Sequence, residues 1–120
     1  MPLTPAQLTG QGAESRARDL LERSGLCFVA ANVRYKVGEL DLVMNDGHVL
    51  VFVEVRARGS VAFDGAAGSI DRRKRLRLQR AANRYLLQQF GQQEWPPCRF
   101  DVVAFEPRGP NWIRGAFDAS

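Results

Sequence analysis

The chain has 120 residues, 45% of them hydrophobic and 25% charged, which is the balance of an ordinary soluble domain and enough for one modest core. No run of about 18 apolar residues occurs, so a membrane-spanning helix is excluded, and the opening MPLTPAQLTG has neither a basic nor an apolar signal region, so a cytoplasmic protein is expected. The net charge of +4 and pI near 9.7 lean weakly towards an anionic partner and say nothing about fold.

Thr4-Pro5 is a helix-starting pair whose first turns are weakened by Gly10 and Gly12. From Ala13 the pattern is firmer: Ala13, Ala17, Leu20, Leu21 and Ser24 recur at helical spacing, Glu14 borders that stripe, and Gly25 ends it. Residues 26–36, 38–44 and 49–56 read as three strands, the last two joined by a tight turn at Asp46-Gly47. Residues 59–70 carry three glycines and no period, and read as a mobile loop. A second helix is expected from Ser69 or Asp71 to about Phe90, with Leu78, Ala82, Tyr85 and Leu86 buried. Trp95-Pro96-Pro97 breaks the chain before a fourth strand at 98–106, and Trp112, Ile113 and Phe117 are expected to pin the tail onto the core. Cys27 and Cys98 read as two buried, reduced thiols, and His48 as a surface residue beside the turn. The order α-β-β-β-α-β implies a single α/β domain over 1–120, a central mixed sheet flanked by helices.

The hairpin holds the first chemical signal, three carboxylates in the most apolar stretch, GELDLVMNDGHVLVFVEVR. With Asp46-Gly47 as a two-residue loop, Asn45 pairs with His48, Asp41 with Phe52 and Glu39 with Glu54. Period-two alternation then gathers Glu39, Asp41 and Val43 on one face with Leu50, Phe52, Glu54 and Arg56. Leu40, Leu42 and Met44 share the other face with Val49, Val51, Val53 and Val55. Two carboxylates about 5 Å apart repel by roughly 3 kcal/mol at an effective dielectric of about 20. A divalent cation, the Arg56 guanidinium or water on an open face would each offset that repulsion.

The second signal is RRKRLRLQR, residues 72–80, with six Lys or Arg and no acid. Cations in the first turns of a helix oppose its dipole and repel one another. Arginines at a helix N-terminus make a phosphate-attracting surface, although a basic face that serves only solubility has the same composition. Carboxylates beside a phosphate-attracting helix point to phosphodiester chemistry.

GAESRARDLLERSG, ANVRYKVGELDLV, FVEVRAR, Lys74 and RFDVV together resemble the bacterial YraN family, which is similar to Holliday-junction resolvases of the restriction-endonuclease-like PD-(D/E)xK superfamily. The resemblance covers most of the chain and implies a restriction-endonuclease-like fold and a Mg²⁺- or Mn²⁺-dependent endonuclease acting on DNA, branched or otherwise structured. It implies Asp41 and Glu54 as metal-binding acids, with Glu14 and Glu39 assisting, and Arg72, Arg73, Lys74, Arg75 and Arg77 as phosphate contacts. A homodimer is compatible with it. Arg56 stands where the superfamily carries the lysine of E-x-K, and an arginine cannot give up its proton. Lys36 and Lys74 are the two candidates for the displaced ammonium. A non-catalytic nucleic-acid-binding module, its acids neutralised by Arg56, is the alternative, and a protein-interaction domain for an acidic partner the third reading.

Overall fold

The computed structural model describes residues 11–57 and 70–117, so Thr4-Pro5 and positions 59–69 of the Gly-rich loop lie outside the described residues. The elements are α1 (Gln11–Arg23), β1 (Cys27–Tyr35), β2 (Gly38–Asp46), β3 (Val49–Arg56), α2 (Arg72–Phe90), β4 (Cys98–Glu106) and β5 (Gly109–Phe117). The strands form one sheet in the order β1-β2-β3-β4-β5. Only β3 and β4 pair in parallel, and α2 makes the crossover between them. The domain is α/β as its pattern implies, with one strand more than expected. Residues 109–117 contain Pro110 and Gly115 and therefore read as a tail, but they form an edge strand, where a missing donor and a positive-φ glycine (Gly115, φ 58) are tolerated.

Each face of the sheet is covered by one helix. Ala13, Ala17 and Leu21 of α1 pack on Leu42, Met44, Val51, Val53, Val103 and Phe105. Leu78, Ala81, Ala82, Tyr85 and Leu86 of α2 pack on Leu40, Val43, Leu50, Phe52, Phe100 and Val102. Phe52 sits between the Tyr85 and Phe100 rings, with centroids 6.1 and 5.4 Å away. Asp71 caps α2, its carboxylate accepting from the Lys74 amide at 2.8 Å, and Gly25 at φ 102 follows α1. In β5, Trp112 packs against the α1-side core and Ile113 and Phe117 against the α2-side core.

Three expectations are corrected. The β2–β3 loop is Gly47-His48 rather than Asp46-Gly47: Asp46 pairs with Val49 and Val43 with Phe52. Gly47, at φ 62, takes the first loop position, where a type II′ turn needs glycine. The ladder thus slides by two residues, an even number, so alternation keeps Val43 with Leu50 and Phe52 on one face. Leu40 is the exception, since it faces α2 whereas Leu42 and Met44 face α1. Cys27 is exposed at the start of an edge strand and Cys98 is half-buried, both as free thiols.

A buried carboxylate ties three strands of the sheet together. Asp101 has no solvent exposure. It accepts from Arg99 Nε and Nη2 at 2.9 and 3.0 Å, from Trp112 Nε1 at 2.9 Å and from the Gly115 amide at 3.0 Å. Arg99 also donates to Asp46 at 2.9 Å, so one network joins β2, β4 and β5. Asp101→Ala strands the donors of Arg99, Trp112 and Gly115 and should cost about 3–5 kcal/mol. The check is a urea midpoint well below that of the parent chain, with CD at low denaturant confirming a folded start.

Candidate functional site

The β2–β3 ladder ends at Leu42↔Val53, although β2 begins at Gly38 and β3 runs to Arg56. Beyond that pair a side chain takes over: Asp41 Oδ2 accepts the Val55 amide at 2.9 Å. The alternation of β2 breaks at the same place, with Leu40 on the α2 side and Leu42 on the α1 side of Asp41. Groups from both helical layers therefore meet at Asp41. Glu14 reaches it from α1, and Lys74 acts on it from α2.

Opposite Asp41 on β1, the bonded partners skip from Ala31↔Leu42 to Val33↔Leu40. The residue between, Asn32, is the one non-glycine with positive φ among the described residues, at 54°. Asparagine tolerates this region better than most side chains. Its side chain hydrogen-bonds Glu14. Asn32 belongs to the site and carries no signature in the sequence, because a strand pattern gives no warning of a left-handed residue.

One oxygen each of Glu14, Glu39 and Asp41 lies within 4.8 Å of the others. Glu54 is joined to Asp41 by a hydrogen bond, is 7% exposed, and meets Lys74 Nζ at 3.4 Å. Glu39 is exposed and lies 3.6 Å from Arg34 Nε. The four acids anticipated from sequence thus come together, with the closest three-way grouping at Glu14, Glu39 and Asp41 rather than at Asp41 and Glu54 alone. Three such oxygens suit a hard, oxygen-seeking cation in the chemistry of their donor set. Arg56 is half-buried, two residues beyond Glu54. Of the two candidate lysines, Lys74 is the one whose ammonium reaches the acids, and Lys36 lies exposed in the turn after β1.

Gly38 explains how α2 comes so close. A Cβ at Gly38 would collide with the Arg77 carbonyl oxygen, so β2 and the first half of α2 touch backbone to backbone, one turn from Lys74. The expected phosphate-contacting residues do not form one group. Arg72 and Arg75 border a separate cleft with Leu76, Gln79 and Phe117. Arg73, Arg77, Arg80 and Arg84, all exposed, recur at intervals of four, three and four, which aligns them along one flank of the helix for ~16 Å. Arg84 lies 5.9 Å from the Tyr35 ring, at the β1 end of that flank. Arg80 closes the basic run of residues 72–80, and Arg84 was legible as a continuation of its helical spacing one turn further.

Burial, and after it the charge of Asp41, pushes the Glu54 carboxyl up to about 7, with Lys74 pulling the other way. Glu14 is also raised to about 7, first by burial and then by Asp41, with Asn32 opposing. Asp41 is raised by burial, and the Val55 amide holds it down. The folded chain therefore keeps protons that the unfolded chain releases above about 4.5, so stability falls as pH climbs from about 4.5 to about 7 and stays reduced above. Melts in chelator should show a Tm several degrees lower at pH 8 than at pH 5.5. Glu54→Gln should flatten much of that fall, and an unchanged pH slope would exclude this origin.

The model of the uncharacterised protein family UPF0102 matches residues 13–105. A UPF0102 protein of Bordetella parapertussis is 51% identical over 95% of this chain, which spans 66% of that relative. One from Klebsiella pneumoniae is 48% identical over 91% of this chain and 85% of its own length. The UPF0102 protein YraN of Escherichia coli is 46% identical over 96% and 91% respectively. The matched span takes in Glu14, Glu39, Asp41, Glu54 and Lys74, every acid and the lysine of the site, and the chain belongs to the UPF0102 family.

Proposed function

We propose that the protein is a divalent-metal-dependent hydrolase of DNA phosphodiesters, acting on branched or otherwise structured DNA. The observation that carries this reading is the convergence of four carboxylates at the break in the β2–β3 ladder with a lysine from a strongly basic helix. Carboxylates this close, one of them the buried Glu54, are costly unless a cation compensates them. Glu14, Glu39 and Asp41 are the residues that would hold Mg²⁺ or Mn²⁺, with Glu54 beside them through Asp41. A bound divalent ion supplies charge neutralisation at a phosphate and a lower pKa for an attacking water.

The chain's own groups have separable roles in this reading. The Lys74 ammonium has three donors, of which Glu54 engages one, so it can also orient a water or steady a phosphate oxygen. That assigns to Lys74, on the helix, the part that Arg56 on the strand cannot play as a proton-releasing group. Asp41 positions the site as well as contributing to it, because its second role is to hold the Val55 amide. The Arg73–Arg77–Arg80–Arg84 flank would track the substrate backbone, and such contacts carry little base information.

Purified protein should nick a branched DNA in Mg²⁺ or Mn²⁺ and lose the activity in chelator. Asp41→Asn and Glu54→Gln should abolish nicking, while Lys74→Ala should slow it by about 10²–10⁴-fold. Intact DNA under all these conditions, together with tight salt-sensitive binding, would instead make the chain a non-catalytic nucleic-acid-binding module. Arg80→Ala combined with Arg84→Ala should lessen the slope of log affinity against log salt on duplex DNA by about 1.8, at roughly 0.9 for each phosphate no longer neutralised. An unchanged slope would remove this flank from the binding surface.

A further inference from the structure

Next to the acids, on the α1 side of the sheet, α1 and β1 enclose a cleft of about 330 Å³ lined by Glu14, Ser15, Arg18, Phe28, Asn32 and Leu42. That is the small end of the range for ligand pockets. Its lining is mixed in polarity. Phe28 is half-buried, and the Arg18 guanidinium carbon stands 3.7 Å from the centre of its ring, a stacking distance. Leu42 gives an apolar floor. Ser15 and Asn32 each bring a donor and an acceptor. Asn32 is also the residue held at φ 54, and left-handed conformations at non-glycine residues concentrate at ligand clamps. Glu14 belongs to both the cleft and the acidic cluster, so whatever fills the cleft is a neighbour of whatever the acids hold.

We propose that this cleft is a nucleobase subsite, which receives one unpaired base of a nucleotide whose phosphate lies at the acidic cluster. The inference rests on the hydrolase reading for the identity of that neighbouring phosphate, and it narrows the substrate to DNA carrying at least one unpaired nucleotide, as in a single strand, a loop or a branch point. A base is flat, presents donors and acceptors along its edge, and stacks on a guanidinium such as that of Arg18, which already covers one face of the Phe28 ring. A base within a duplex is already stacked on both sides and is out of reach. The phosphate itself is a poor occupant of the cleft, because its one lining cation, Arg18, is already paired with Glu22 and Glu14 adds an acid to the lining.

The test is fluorescence-anisotropy binding to a short single-stranded oligonucleotide in Ca²⁺, with one abasic residue walked along it. Removing the base at one position should weaken binding about tenfold, the loss of one stacked base. Ser15→Trp, which fills the cleft from an exposed helical position, and Arg18→Ala should each weaken binding of the intact oligonucleotide and show no further loss from the abasic residue. CD melts of both variants confirm that they fold. Equal affinity at every abasic position, or a fully paired duplex bound as tightly as the single strand, would overturn the subsite. Nicking in Mg²⁺ is read on the same strands: cleavage that ignores the missing base counts against the subsite alone. Base-sensitive binding without any cleavage supports the subsite and counts against the hydrolase.

Discussion

A single hydrogen bond organises the functional end of this molecule: the Asp41 carboxylate takes the amide hydrogen of Val55. With the backbone partner replaced by a side chain, the regular ladder stops at Leu42↔Val53 and β2 changes which residues it turns to each helix. A sheet normally keeps its two covering layers apart. Here the interruption lets Glu14 from α1 and Lys74 from α2 act on the same carboxylate. The left-handed backbone of Asn32 in β1 falls opposite Asp41, between the pairs Ala31↔Leu42 and Val33↔Leu40.

The arrangement sacrifices stability locally. Four acids crowd one end of the sheet, and arginines line up along a helix flank where like charges at three and four residues repel. The counterweight lies elsewhere. Two apolar layers sandwich the sheet, and the fully satisfied Asp101 network clamps β5, β4 and β2. A fully bonded network thus stands beside a site whose charges are balanced only in part. That division is expected where chemistry, rather than packing, selects the residues.

The match to UPF0102 covers the sheet through β4 and both helices, and leaves β5 outside its limits. Within the described chain β5 nonetheless completes the Asp101 network, by giving it Trp112 and the Gly115 amide. Its contribution is to stability at the edge, and the acids of the sheet lie two and three strands away, on β3 and β2.

The sequence by itself determined the element types, the buried stripe of α2, the apolar pattern of β2 and β3, and the identity of the acids, because periodicity and composition act over a few neighbouring residues. Even the face shared by Val43, Leu50 and Phe52 survived a wrong choice of turn, since the true register differs by two and side chains repeat every two. Only the tertiary structure decided which lysine meets Glu54, that Leu40 leaves its expected face, that Asn32 adopts a left-handed backbone, and that residues 109–117 form a strand. Those outcomes depend on groups far apart in the chain: Gly38 admitting the Arg77 backbone, Asp41 capturing the Val55 amide, and Asp101 recruiting Trp112. Local patterns carry no record of such encounters, because each is set by where the packed layers bring two distant segments together.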